Sequence, residues 1–196
     1  MRIFLRLWML LCLSGTAWAM DDILVSEEGP SIAERSTFMP GFMPLYWDAD
    51  EGRLYGDIHD LASPFIYYNG LSQGVGSNDL GLDRGRLGDT HLVRLDRVGK
   101  KVFLTAVNTK YTARSDKAAE RRAVDEAFAH SIIWGFEVAD QLEGMTLIDL
   151  TDFALSDATD LSRILAARGE GSYAIDSSRS AIYTPKTKSF PDNTEI

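Results

Sequence analysis

A glycine-rich segment near the middle of the chain constrains the fold more than any other feature. The fifteen residues Gly74–Gly88 read GVGSNDLGLDRGRLG and hold five glycines, two aspartates and two arginines. Glycines at this density indicate backbone in unusual conformations, or backbone that another group approaches closely. Strand-like segments flank the run on both sides. We therefore expect a structured loop built into a sheet, and we call residues 74–88 the glycine loop.

The glycine loop does not match the familiar nucleotide or calcium motifs. A P-loop requires Gly-Lys-Ser/Thr after a four-residue spacer, and no such run occurs in the sequence. Asp79 stands where a dinucleotide fingerprint would have its third glycine. Asp79 and Asp83 also lack the alternating ligands and the distal glutamate of an EF-hand.

Two interpretations of the charged side chains in this loop remain. Asp–Arg pairs and aspartate caps can simply hold a loop together, and this structural role is the commoner one. In the second interpretation, Asp79, Asp83, Arg84 and Arg86 form a polar contact surface for a peptide or a partner domain. These four residues are our candidate contact surface.

Composition places the chain among ordinary globular proteins with an acidic balance. Its 196 residues include 20 Lys+Arg against 29 Asp+Glu, for a net charge of −9. This length fits one domain, or one domain and a piece of a second. A hydrophobic fraction of 45% is enough for a core that needs no disulfide or metal cross-link. The acidic balance argues against nucleic acid as a partner, because that function requires a basic surface.

The N-terminus has the pattern of a targeting segment. Arg2 and Arg6 precede a short apolar run, and Ala17-Trp18-Ala19 matches the small-x-small cleavage pattern. We predict a signal peptide over residues 1–19 and an exported protein, periplasmic or extracellular. The run is too short to cross a bilayer comfortably, so no transmembrane span is expected after cleavage. Cleavage would remove Cys12, the sole cysteine, which suits a bacterial periplasm better than a disulfide-rich secreted scaffold.

Hydrophobic periodicity predicts an α+β fold, mostly antiparallel sheet with one long and one shorter helix. Residues 20–38 are acidic and aperiodic, and we expect a flexible lead-in there to a domain over residues 39–196. The shorter helix is predicted over residues 157–167. Extended segments are predicted at residues 39–47, 53–58, 65–68, 90–97, 101–107, 136–139, 146–150, 173–175 and 180–183. The first three are expected to form an antiparallel meander, and 90–97 with 101–107 a hairpin that turns at Gly99.

The long helix is predicted to follow the main hairpin. It begins at a cap formed by Ser115 or Asp116 and runs to about Ile132. Apolar residues recur at every fourth position up to Ile132 and predict one apolar stripe. Arg122 and Glu126 form an i,i+4 pair on the other side, so the charge run is read as a solvated face.

Aromatic residues crowd the first three extended segments. They offer a ligand-binding surface, but aromatic side chains dominate burial energy, so core packing is the favoured interpretation. The residues concerned are Tyr46, Trp47, Tyr55, Phe65, Tyr67 and Tyr68.

The residues by themselves give no active site. His59, His91 and His130 do not follow a zinc-ligand spacing, and each is read as an isolated histidine. No Gly-x-Ser-x-Gly elbow occurs. Carboxylate pairs such as Asp149 and Asp152 are suited to acid–base chemistry, but nothing in the sequence places them in one cleft. No catalytic or metal-binding residue is therefore assigned.

A series of short motifs follows in one order along most of the chain. They include Leu45-Tyr-Trp-Asp48, the glycine loop from Gly74 to Gly85, Ala119-Glu-Arg-Arg-Ala-Val124, Arg179-Ser-Ala-Ile-Tyr183 and Lys186-Thr-Lys-Ser-Phe-Pro191. Together they resemble the N-terminal region, a domain of unknown function, of a bacterial family of large exported zinc-dependent, metzincin-like metalloproteases. The resemblance covers about residues 40–196, and many motifs in one order are more specific than a single match.

The resemblance implies a region without catalytic residues of its own. In that family a downstream domain carries His-Glu-x-x-His-x-x-Gly-x-x-His, whose histidines hold zinc and whose glutamate activates water. This motif does not occur in the chain, so no cofactor is expected here and the chain alone should be inactive. Its partners would be its own downstream protease domain and a peptide or protein substrate, and the chain looks truncated before that domain. The alternative is a self-standing cell-envelope binding module without enzymatic activity.

Overall fold

One curled antiparallel sheet of eight strands organises the chain. The computed structural model describes residues 29–76 and 78–196. The strands are β1 (Thr37–Met39), β2 (Leu45–Asp48), β3 (Arg53–Asp57), β4 (Phe65–Gly70), β5 (Leu87–Val98), β6 (Lys101–Ala106), β7 (Ser131–Leu142) and β8 (Met145–Asp149). They lie in the order β1-β2-β3-β8-β7-β6-β5-β4, so the sheet is mostly built from sequence neighbours.

Short helices and a small hairpin surround this sheet. The helices are α1 (Ile32–Arg35), α2 (Ala118–Ala127), α3 (Thr151–Ala154) and α4 (Leu161–Ala167), with 3₁₀ turns at Asn78–Leu80 and Ser177–Arg179. Strands β9 (Lys188–Ser189) and β10 (Thr194–Glu195) form a separate antiparallel pair. The predicted signal peptide lies outside the described residues, as do residues 20–28 of the lead-in. Within the described residues the first regular element begins at Ile32, inside the segment expected to be a lead-in.

The main hairpin is confirmed. Strands β5 and β6 pair from Val98↔Lys101 to Val93↔Ala106, and Gly99 turns the chain with φ +64°. That conformation is strained for a residue with a Cβ, which explains glycine at this turn. Both faces of β6 carry buried or half-buried side chains, so this strand lies inside the sheet, as its apolar sequence predicts.

The predicted meander of the first three extended segments is wrong in its third member. Strands β1, β2 and β3 are consecutive neighbours, but β3 then pairs with β8, and β4 lies at the far edge beside β5. Burial explains why β3 pairs with β8 and not with β4. Leu54, Tyr55 and Gly56 are buried in succession, so β3 needs covered neighbours, and β8 supplies the buried Leu147 and Ile148. Exposure alternates along β4, as expected at a sheet edge.

The predicted long helix is also wrong in its extent. Helix α2 ends at Ala127, and Ile132 belongs to β7 instead. Its N-cap is Lys117, although the Ser115 hydroxyl accepts the Lys117 N–H at 3.2 Å. None of the helical residues is buried, whereas Phe136 in β7 is 3% exposed. Pairing with β6 buries Phe136 and partly buries Ile133 and Trp134, and that gain overrides the helical periodicity that continues up to Ile132.

The shorter predicted helix begins later than expected, at Leu161. Asp160 is the N-cap residue, with φ +56°, and the carboxylate of Asp157, the predicted first residue, accepts the N–H of Leu161 at 2.7 Å and of Ser162 at 2.8 Å. Burial alone would raise the pKa of Asp157, but these hydrogen bonds lower it below its usual value. Helix α3 was not predicted, and residues 173–175 and 180–183 form no strand.

The core lies on the inner face of the sheet. Its fully or almost fully buried members come from β2, β3, β5, β6, β7 and β8 and the residue after β8: Leu45, Leu54, Val93, Val102, Leu104, Phe136, Ile148 and Leu150. Phe153 of α3 packs over them, with ring centroids 5.7 Å from Tyr67, 5.5 Å from Trp134 and 5.3 Å from Phe136. The packing interpretation of the aromatic residues is confirmed for Trp47, Tyr55, Phe65 and Tyr67.

Both ends of the described domain are attached to strand β2 and the segment before it. The Asp48 carboxylate is 1% exposed, accepts the Arg35 Nε at 2.6 Å and also accepts the Glu51 N–H at 3.1 Å. The Arg35 guanidinium, with this N–H, holds the pKa of Asp48 below its usual value. At the other end, Ser189 Oγ donates to the Met43 carbonyl at 2.8 Å, which fixes the β9–β10 pair against the segment before β2.

Candidate contact surface

The glycine loop joins β4 to β5 and is closed by its own backbone. The Leu71 N–H donates to the Arg86 carbonyl at 3.0 Å, Gly85 returns a bond to Leu71 at 2.8 Å, and Val75 donates to Leu82 at 3.2 Å. A Cβ on Gly74 would lie 3.0 Å from the Leu82 carbonyl oxygen. The loop thus needs glycine where its two arms approach each other, as the sequence predicts.

A single apolar side chain anchors the loop to the domain. Leu82 is 1% exposed and lines a small cavity of about 30 Å³ together with Leu71 and Thr159. The segment around α4 supports the same region, because Arg168 Nη1 donates to the Asp79 carbonyl at 3.2 Å and Asn69 Nδ2 donates to the Ala158 carbonyl. The loop is therefore a packed element of the domain.

The four charged residues of the candidate contact surface all lie on the outside of this loop. Asp79, Asp83, Arg84 and Arg86 are exposed. Among the residues that the structure describes, none of the four belongs to an ion pair. Backbone hydrogen bonds and Leu82 hold the loop, whereas the Asp–Arg pairs expected in the structural interpretation do not. The contact role of the four side chains stays a prediction.

Replacing Leu82 with alanine is expected to loosen the loop without unfolding the sheet. The cavity left by a buried leucine costs about 2 kcal/mol or more. Because a local opening exposes the loop amides, hydrogen exchange at Gly85 should accelerate about 30-fold, while exchange in β6 stays unchanged. Hydrogen exchange followed by NMR measures both. Leu142→Ala, at a strand leucine that is 47% exposed and does not line this cavity, is the matched control. Equal acceleration at Gly85 and in β6 would contradict a local anchor.

An exposed apolar surface adjoins the loop on the outer face of the sheet. Ile66 of β4 is 69% exposed and lies directly across from Leu92 of β5, which is 38% exposed. Tyr68 is 55% exposed and lies on the same face two residues further along β4. Ile132 of β7, 61% exposed, reaches this face through the bulge between β6 and β7. We call Ile66, Tyr68, Leu92 and Ile132 the outer patch.

Sequence reasoning missed the outer patch. Tyr68 was grouped with the core aromatic residues, and Ile132 was assigned to a helix. The sequence carries no signal for this surface, because Phe65-Ile-Tyr-Tyr68 is apolar or aromatic throughout and does not mark its solvent face by alternation.

A family comparison covers the second part of the chain. The family described as "Domain of unknown function (DUF5117)" matches residues 85–196. The chain belongs to this family. No curated protein and no solved structure matches the chain. The DUF5117 match begins near the end of the glycine loop, at Gly85, and includes every strand from β5 onward.

Residues of the DUF5117 region form hydrogen bonds with the part of the chain just before Gly85. Arg168 and Ala158, which bond to Asp79 and Asn69, both belong to the matched residues. Leu92 and Ile132 of the outer patch do so as well, whereas Ile66 and Tyr68 come from β4. The candidate contact surface is thus assembled from both parts of the chain.

Two of the titratable residues considered for catalysis, Asp149 and His130, take part in structural hydrogen bonds. Within residues 29–76 and 78–196, no group of three or more His, Cys, Asp and Glu side chains is placed to hold a metal ion. Asp149 is engaged in structure, since it pairs with Arg53 and accepts the Thr151 N–H at 2.9 Å. His130 Nδ1 accepts the Asn108 N–H at 3.0 Å. No helix in the described part of the DUF5117 chain has the length and apolar character to cross a membrane.

Proposed function

We propose that this chain is the non-catalytic N-terminal region of an exported zinc-dependent metalloprotease, and that it contacts the downstream protease domain through the outer patch and the glycine loop. The motif series over residues 40–196 supports the first part. The exposure of Ile66 directly beside Leu92 carries the second part, because contiguous exposed apolar side chains mark interaction surfaces.

The charged residues of the loop fit the rim of such a contact. Gly70, the last residue of β4, pairs with Leu87, so the base of the loop adjoins the end of β4 that carries Tyr68. Protein interfaces commonly combine an apolar centre with a polar, solvent-accessible rim. In this proposal the outer patch is the centre, and Asp79, Asp83, Arg84 and Arg86 belong to the rim.

The chemistry in this proposal belongs to the downstream domain. That domain would hold zinc through its histidines and hydrolyse peptide bonds with the help of its glutamate. The present chain would supply a surface that positions the protease domain or shapes its cleft for a peptide or protein substrate. The predicted signal peptide would direct the whole protein to the periplasm or the exterior.

The reading frame downstream of the Ile196 codon tests the protease proposal most directly. A frame that continues into a His-Glu-x-x-His segment supports the proposal. A stop codon directly after Ile196 in the natural gene contradicts the proposal and favours the binding-module alternative.

Substituting Ile66 with aspartate is expected to weaken association with the separately expressed downstream domain about 30-fold. A charge placed in the apolar centre of an interface must be desolvated, and a loss of about 2 kcal/mol corresponds to this factor. Titration calorimetry measures the dissociation constant. Val98→Asp is the matched control, because Val98 lies on β5, is 66% exposed and is outside the outer patch. Unchanged binding by a folded Ile66→Asp variant would exclude the outer patch as the contact.

The alternative is a self-standing cell-envelope binding module. Its proposed aromatic surface is reduced by the fold, because Tyr55 is 4% exposed and Trp47, Phe65 and Tyr67 pack against the core. Tyr68, beside Ile66, remains exposed and available to a ligand in this alternative. A separately expressed segment of residues 20–196 distinguishes the two proposals: a self-standing module should be monodisperse and unfold cooperatively, whereas a severed region should aggregate through its exposed apolar surface.

A further inference from the structure

A hollow of about 340 Å³ opens at the end of the sheet opposite the glycine loop. It is lined by residues from the ends of β5, β7 and β8 and by the segment that follows β3. Arg97, on its rim, lies ten positions along β5 from Leu87 at the loop, which corresponds to a rise of about 33 Å. The hollow is therefore separate from the candidate contact surface.

Arg97 gives the hollow an oriented positive charge. Its Nε donates to the Gly99 carbonyl at 3.0 Å, and its Nη2 donates to Gln141 Oε1 at 2.7 Å. Both acceptors are neutral, and no described carboxylate lies within 4.0 Å of this guanidinium. Arg121 and Arg168 are also held by neutral oxygens alone, but neither of them lines the hollow. Two of its five N–H donors are used, which leaves donors for a bidentate anion.

The remaining lining of the hollow is partly apolar and partly hydrogen-bonding. Ile58, Leu61 and Leu95 present apolar side chains beside the buried Val102. Thr146 adds a hydroxyl, His59 adds an imidazole, and the Gln141 amide group is held in place by Arg97. Ligand pockets combine such apolar walls with a few fixed polar groups, and the volume lies near the lower end of their usual range of about 300–1,000 Å³.

We propose that this hollow binds the C-terminal end of a peptide that ends in an apolar residue. The terminal carboxylate pairs with Arg97, and the last side chain packs against Ile58, Leu61 and Leu95. Gln141 and Thr146 lie where they can bond the preceding peptide group, which a simple fatty acid lacks. Charge complementarity selects the carboxylate, and the hydrogen-bonding groups select a peptide over other carboxylic acids.

Isothermal titration of the full chain with N-acetyl-Leu-Leu tests this proposal without any variant. The free acid is expected to bind at least tenfold more tightly than the same peptide as its C-terminal amide, because the amide removes the charge that Arg97 recognises. Octanoate, a carboxylate without a peptide group, is expected to bind more weakly than N-acetyl-Leu-Leu with its free carboxylate. Equal binding of acid and amide, or no binding of the acid at about 1 mM, would overturn the proposal. Octanoate binding as tight as that of the peptide would overturn the peptide assignment.

A pair of arginine variants on one strand locates the site. Arg97→Gln should reduce affinity for the peptide acid at least tenfold. Arg94→Gln should leave it unchanged, because Arg94 pairs with Asp96 on the opposite face of β5. Circular dichroism establishes that both variants are folded. Equal losses in the two variants, or no loss in Arg97→Gln, would exclude Arg97 as the carboxylate partner. Neither result bears on the outer patch, so the peptide-binding proposal and the proposed function can be refuted independently of each other.

Discussion

Replacing Leu54 with alanine is expected to lower the free energy of unfolding by about 2–5 kcal/mol, the range observed for buried leucines. Leu54 is 0% exposed and lies across from Trp47 in the neighbouring strand β2. Its backbone is also fixed, because its N–H donates to Thr151 Oγ1 at 3.0 Å and its carbonyl accepts the Leu150 N–H at 2.9 Å. Since the surrounding strands are held at this point, we expect little collapse into the cavity and a loss in the upper part of the range.

Urea denaturation measures this loss as a shift of the midpoint at constant slope. Leu142→Ala is the matched control, because Leu142 is also a strand leucine but is 47% exposed, and it should change stability by less than about 0.5 kcal/mol. A Leu54 variant as stable as the Leu142 variant would show that β3 is not part of the cooperative core. A changed slope would indicate a different unfolded or native state, and the comparison would then need a second probe.

Truncating Phe153 to alanine is expected to destabilise the domain by about 3 kcal/mol. Phenylalanine-to-alanine changes in cores cost about 3–5 kcal/mol, and Phe153 belongs at the lower end because it is half-buried. Its ring lies within 6 Å, between centroids, of Tyr67, Trp134 and Phe136, so one truncation removes three aromatic contacts. These contacts join the edge strand β4 and the interior strand β7 to α3.

Thermal unfolding and near-ultraviolet circular dichroism together test this role. The melting temperature should fall by about 6–12 °C, and the signal of Trp134 should change because its ring loses a neighbour. Phe38→Ala is the control: Phe38 is 52% exposed on the edge strand β1, and among the aromatic residues that the structure describes its ring contacts Tyr46 alone, with centroids 5.0 Å apart. If both variants melted together, the inner face would not depend on α3.

Local patterns predicted the elements whose geometry is set within a few residues. The β5–β6 hairpin follows from two extended segments around Gly99. The glycine loop was recognised because its backbone needs glycine at Gly74 and at positions of positive φ such as Gly81. These are constraints of neighbouring backbone atoms, and a single sequence carries them.

Predictions failed where a segment obtained its partner from a distant part of the chain. Residues 128–132 continue a helical repeat, yet Ile132 pairs with Thr105 in the sheet. The partner of β3 is β8, and nothing local distinguishes this pairing from the expected one with β4. The hollow was missed for the same reason, because Arg97 and Gln141 are 44 positions apart in the sequence.

The sequence by itself determined a mostly antiparallel fold, its central hairpin and a structured glycine loop, because alternation and glycine conformation act between residues close in the chain. Only the tertiary structure decided which strands are neighbours, which apolar side chains stay outside as the outer patch, and which polar groups meet around Arg97. Those outcomes depend on the total apolar surface that the domain buries. The favoured strand pairing is the one that maximises this buried surface, and no single segment of the sequence reveals that total.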